Sequence, residues 1–200
     1  MGQYYRIFMC KEDGSEPRVH SSYDHDNNGA KLMEHSYYGN RFVEAALSQL
    51  VDTYKHHDPL RVWWVGDYAE EDDIPEDKKQ YHPIAGAWKP APETIKVHNE
   101  EFDFGAQLYL VNLTTHEYID LKAVREQNKV PGWSGSIHPL PLLTAVGNGR
   151  GGGDYHGSTA INKNMVGAWA GDLLQITETI PQDEFLMYID ISSDVHFQER

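Results

Sequence analysis

Cysteine is almost missing from this chain: Cys10 stands alone among 200 residues. A single thiol can form no intrachain disulfide and build no cysteine-based zinc cluster, so Cys10 reads as a small apolar strand residue. Long apolar runs are missing too. No stretch approaches the length that crosses a bilayer, and the opening "MGQYYRIFMCKEDGSE" has no apolar run after a basic start. Arg6 stands where a myristoylation signal needs Ser or Thr. The expectation is a cytoplasmic protein with no membrane contact and no lipid anchor. Basic residues are scarce, 17 against 31 acidic, for a formal charge of −14. Such a surface repels phosphate backbones, so direct nucleic-acid binding is not expected. Metal signatures are equally thin. The eleven histidines show no H-E-x-x-H spacing, and "DHDNNG" at 24–29 opens like a calcium loop but reaches His35 where that loop needs Glu. No metal motif is present, so a metal site would have to be assembled from distant segments, and the sequence leaves any cofactor open.

What is present is a globular composition, 40% apolar, with unusual internal likeness. The string W-x-G-D occurs twice, at Trp64–Asp67 and Trp169–Asp172. Other landmarks follow at nearly the same offset: "QYYRIF" from Gln3 against "QLYLVN" from Gln107, His35 against His138, and Ile74-Pro75 against Ile180-Pro181. Each copy opens with a strand pair. In the first, Asn40 is a candidate helix N-cap for "RFVEAALSQLVDTY", with Phe42, Ala46, Leu50 and Val43, Leu47, Tyr54 on one broad face. In the second, "PLPLLTAV" holds the same place as a shorter helix, its prolines confined to the first turn. "LRVWWVGD" and "MVGAWAGDLLQIT" then read as strands, with "PIAGAWK" and "EFLMYIDIS" as one more apiece. The predicted fold is therefore α+β: two pseudo-symmetric repeats, each a β-hairpin, a helix and further strands, packed about a pseudo-twofold axis. Residues 1–88 form the first unit, 89–106 the connection and 107–200 the second unit. Trp64 and Trp169 should superpose, as should Asp67 and Asp172, either as turn residues after a buried Trp or as a pair facing each other across a cleft.

The halves differ most at "GNGRGGGDYHG", residues 147–157, which holds six glycines and one Arg. Ordering so much glycine is costly. Successive unshielded amides can form a nest for an anion, here Gly149, Arg150, Gly151, Gly152 and Gly153, with the Arg150 guanidinium as a bidentate donor. A mobile surface loop is the competing reading. "GNGRGG" fits G-x-G-x-x-G, but no helix follows, so a dinucleotide site is not indicated.

The strings "GQYY", "KLMEHS", "IHPLPLLTAVGNGRGGGDY" and the two W-x-G-D copies resemble a family of small proteins encoded by bacteria and their phages. The resemblance implies a microbial cytoplasmic setting and assigns no catalytic residue.

Two functions of different class are open. The first is a small-ligand protein that binds, or also hydrolyses, a phosphate-bearing metabolite or nucleotide between the repeats. Here Arg150 and the loop amides hold the anion, His138 and His156 are candidate acid–base groups, and Asp154, Asp67 and Asp172 orient them or a metal. The second is an acidic interaction protein whose "YAEEDDIPED", residues 68–77, meets a basic partner where phosphates would sit. That acidic run also serves solubility alone.

Overall fold

In the computed structural model, residues 1–25, 29–56, 58–81, 106–127, 136–155, 165–179 and 187–188 are described. The strand expected at 83–89, most of that expected at 184–192, and the 89–106 connection except residue 106 lie outside them. The chain folds as α+β, with a mostly antiparallel sheet packed against helices.

The sheet runs in the order β2 (Arg18–Ser21), β1 (Tyr5–Cys10), β3 (Leu60–Gly66), β7 (Leu173–Thr177), β4 (Tyr109–Asn112), β5 (Glu117–Asp120) and β8 (Met187–Tyr188). The two-residue β6 (Ala145–Val146) lies parallel to β3 off this path. Strands β1 and β3 are nearly continuous apolar runs because both of their faces are covered. Tyr5, Ile7, Met9, Val62 and Trp64 enter the main core, whereas Phe8, Cys10, Trp63 and Val65 point to a second core on the opposite face. Cys10 is fully buried there, and burial pushes its thiol up to about 11, so it is inert.

The helix α2 (Arg41–His56) covers the main face. Its start follows from Asn40, whose Oδ1 accepts the Phe42 amide at 2.9 Å. Phe42, Ala46 and Leu50, with Val43, Leu47 and Val51, form the buried stripe, and the Phe42 ring lies 4.9 Å from that of Trp64. The short α4 (Pro139–Leu143), expected from the sequence, and two helices not expected from it, α1 (Leu32–His35) and α3 (Leu121–Gln127), complete this layer. In α4, Pro139 occupies the first helical position, where its missing N–H costs nothing. The acidic excursion after β3 closes the other face by seating Ile74 and Tyr81 against Phe8 and Trp63.

The W-x-G-D correspondence requires correction. Trp64 sits inside β3, opposite Ile7. Trp169 lies in turns that precede β7, its indole donating to Glu117 Oε2 at 3.0 Å. If Gln3 corresponds to Gln107, the counterpart of Ile7 is Val111, whose cross-strand partner is Gln175 rather than Trp169. Both tryptophans are buried, but for different reasons. In the second string Gly171 has φ +77° and sits so close to the Trp63 ring that a Cβ would come within 2.7 Å of it. A continuous strand from Met165 cannot accommodate that turn.

Candidate functional site

The Gly-rich loop does form a nest, and the chain fills it. Asp154 is buried, and its Oδ2 accepts the amides of Gly149 (2.9 Å), Arg150 (3.0 Å) and Gly151 (2.9 Å). Its Oδ1 accepts the Tyr5 hydroxyl at 2.8 Å, and Gln3 Nε2 bridges that hydroxyl (2.9 Å) to the Gly147 carbonyl (2.8 Å). Burial, with the Asp154 carboxylate adding to it, pushes the Tyr5 phenol far above its ordinary range, so it stays a donor. Gly152 and Gly153 are tied by their backbones: Gly152 N donates to Met1 O (3.0 Å), Gln3 N to Gly152 O (3.0 Å) and Met33 N to Gly153 O (2.8 Å). Arg150 reaches outward to Glu70 (3.1 Å) and Asp73 (2.9 Å) of the acidic segment. The anion in this loop is thus Asp154 itself, and the role read for the amides and for Arg150 passes from an external ligand to internal docking. His156 lies outside the described residues.

The two aspartates of the W-x-G-D strings do not meet. Asp67, exposed at the end of β3, accepts the Tyr4 amide at 3.1 Å. Asp172 is buried beside Val62, whose carbonyl takes the Gly171 amide at 2.8 Å. Five strand residues, roughly 16 Å, separate Val62 from Asp67. Asp172 pairs with Lys78 and accepts Asn112 Nδ2 at 2.8 Å, which fastens the acidic excursion to the sheet. Among the described residues no group of three or more His, Cys, Asp or Glu side chains could hold a metal ion, and no helix is long and apolar enough to cross a membrane.

His138 has the most unusual surroundings. It is fully buried as the N-cap of α4, its Nδ1 accepting the Leu140 amide at 3.1 Å. An accepting Nδ1 leaves the ring proton on Nε2. That Nε2–H finds no hydrogen-bond partner among the described residues. Burial holds the imidazole down to about 3, so it is neutral at any ordinary pH. This corrects its reading as an acid–base group: with Nδ1 engaged, it is a fixed donor.

His138 lines a pocket together with Tyr38, Leu47, Leu108, Leu121 and Arg125. The space is about 310 Å³ counted out to open solvent, most of it too narrow to admit more than about one water. Tyr38 packs against His138 with ring centroids 4.5 Å apart, and its hydroxyl donates to the Leu121 carbonyl at 2.7 Å. Lys122 and Arg125 are exposed at the mouth. Tyr38 and Leu47 come from the first half of the chain and the rest from the second. The sequence reading found His138 but missed Tyr38, Leu108, Leu121, Lys122 and Arg125. The signal for three of them was Asp120, whose Oδ1 accepts the Ala123 amide at 2.9 Å and so caps α3, placing Leu121 and Val124 inward and Lys122 and Arg125 outward.

No known protein family, curated protein or solved structure matches the chain.

Proposed function

We propose that this protein binds a small molecule in the cleft between its two halves, at His138. The observation that carries this reading is a buried imidazole, that of His138, which lines an apolar pocket and whose Nε2–H has no partner among the described residues. A donor left unsatisfied in the interior costs about 1–3 kcal/mol, which an acceptor on a ligand recovers. Among the described residues that line the pocket none supplies a general base, so the reading is binding rather than hydrolysis. The test is protein-observed NMR of the histidine ring nitrogens during a fragment screen. Compounds that shift the His138 Nε2 signal and raise the melting temperature are expected. A chemically broad screen that leaves the signal unmoved would overturn the reading.

A second reading has its own observation. Asp67, Glu70, Glu71, Asp72, Glu76 and Asp77 are all exposed on one segment that Ile74 and Lys78 fix to the sheet. A fixed array of carboxylates suits a basic protein partner. The protein should then displace DNA from a DNA-binding protein of its host, and reversal of Glu71, Asp72, Glu76 and Asp77 to Lys should abolish displacement.

A further inference from the structure

We infer that the acidic segment from Glu70 to Tyr81 is a strap that lifts as a unit, baring the apolar sheet face beneath it while the sheet and the main core stay folded. Its backbone is not part of the sheet. The segment is two short 3-10 helices, Glu71–Asp73 and Glu76–Tyr81, and among the described residues its backbone–backbone hydrogen bonds close within it, as from Ile74 N to Glu71 O (3.2 Å) and from Lys78 N to Pro75 O (2.9 Å). The residues just before it are pinned. Asp67 N donates to Tyr4 O at 2.9 Å, and Ala69 lies so close to Gly147 that a Cβ there would come within 2.6 Å of it. The hinge therefore falls between Ala69 and Glu70. What holds the strap down is a few side chains: Ile74 is its one buried residue, Lys78 pairs with Asp172, Arg150 holds Glu70 and Asp73, and the Arg61 guanidinium stacks 3.9 Å from the centre of the Tyr81 ring. Beneath lie Phe8, Cys10, Trp63 and Val65, which pairing between β1 and β3 keeps in place with the strap down or up. A segment with so few apolar anchors and no ladder bonds opens at a lower free energy than the whole molecule. Its carboxylates also outnumber its lysines in a chain of formal charge −14, so repulsion favours the lifted state.

Cys10 reports on the strap directly: it is the chain's one cysteine, it is fully buried, and its Sγ lies 4.0 Å from the Tyr81 carbonyl. The experiment is the rate at which iodoacetamide labels the full chain across low urea, set beside global unfolding followed by circular dichroism. Labelling should outrun the rate that global unfolding allows, and below the unfolding transition it should be nearly independent of urea, because lifting the strap exposes little surface. Ile74→Ala removes the apolar anchor and should speed labelling by about tenfold or more. Arg150→Gln releases surface pairs at the end of the strap opposite Tyr81 and should speed it by about threefold, since both ends move together. Leu50→Ala, in the main core on the other face of the sheet, should lower the urea midpoint yet leave the labelling rate in water unchanged. In wild type, labelling that follows the full urea dependence of global unfolding overturns the proposal. So does urea-independent labelling that Ile74→Ala leaves unmoved, which would place the opening elsewhere.

Discussion

Lowering the pH from about 7 to about 4.5 should cost this protein stability through one side chain. His138 is held near 3 in the folded state by burial, against an ordinary 6.5 when unfolded. Between those values the unfolded chain takes up a proton that the folded chain refuses, so the contribution is fully present above about 6.5 and declines as pH falls toward 3. The limiting slope is about 1.4 kcal/mol per pH unit, which amounts to about 2.5 kcal/mol lost between the two conditions. Other groups titrate in the same range, so the measurement is a difference. Asn at position 138 can still accept the Leu140 amide as an N-cap and does not titrate. Urea unfolding of wild type and His138→Asn across the range should give curves that are well separated in slope. Parallel curves would show that His138 is not held neutral, and the donor on which the cleft reading depends would be lost with it.

Asp154→Ala removes the acceptor shared by three loop amides and leaves the buried Tyr5 hydroxyl without its carboxylate, and should cost about 1–3 kcal/mol by urea unfolding; Asp154→Asn should cost less, and a neutral result for Ala would mean that the nest is not closed by this carboxylate. Lys78→Met leaves Asp172 buried with only Asn112 and should destabilise by about 3–5 kcal/mol, and adding Asp172→Leu should recover part of that loss. For Arg150→Ala the pairs lost are at the surface, so any drop in melting temperature should vanish at high salt, and a drop that persists there would point to packing instead. Gly171→Ala should lower stability sharply, because φ +77° and the Trp63 ring both oppose a Cβ.

Local patterns carried the first half of the fold. The helix face of Phe42, Ala46 and Leu50 and the cap at Asn40 are spaced by short-range geometry, and the structure has them where periodicity places them. The second half was less legible because its repeated string means something else there. Gly66 ends a strand whereas Gly171 makes a turn against Trp63, and only the three-dimensional neighbour distinguishes them. Of the five residues read as an anion nest only Gly149, Arg150 and Gly151 turn their amides to one point, and the acid that meets them was already in the string, one residue after Gly153. What no pattern could give is that Tyr5 completes the site from across the chain. His138 stood out as a histidine, yet the Pro139 that follows it was the better clue, since Pro at the first helical position makes the residue before it a cap. The pocket walls were illegible because Leu47, Leu108 and Leu121 look like any core leucine until the topology brings them together.

The bond from Tyr5 to Asp154 spans 149 residues, and that span has a consequence for synthesis. At about 5–20 residues per second a ribosome needs roughly 7–30 s to make the intervening chain. Through that interval β1 can pair with β2 and β3, but the Tyr5 hydroxyl and the Gln3 amide have none of their partners in the glycine loop. The N-terminal sheet therefore waits, partly assembled, for a segment that emerges long after it. Variants that weaken the loop should act as slow-maturing proteins during translation even where their equilibrium loss is modest, with the unpaired ends of β1 and β3 exposed to aggregation in the meantime.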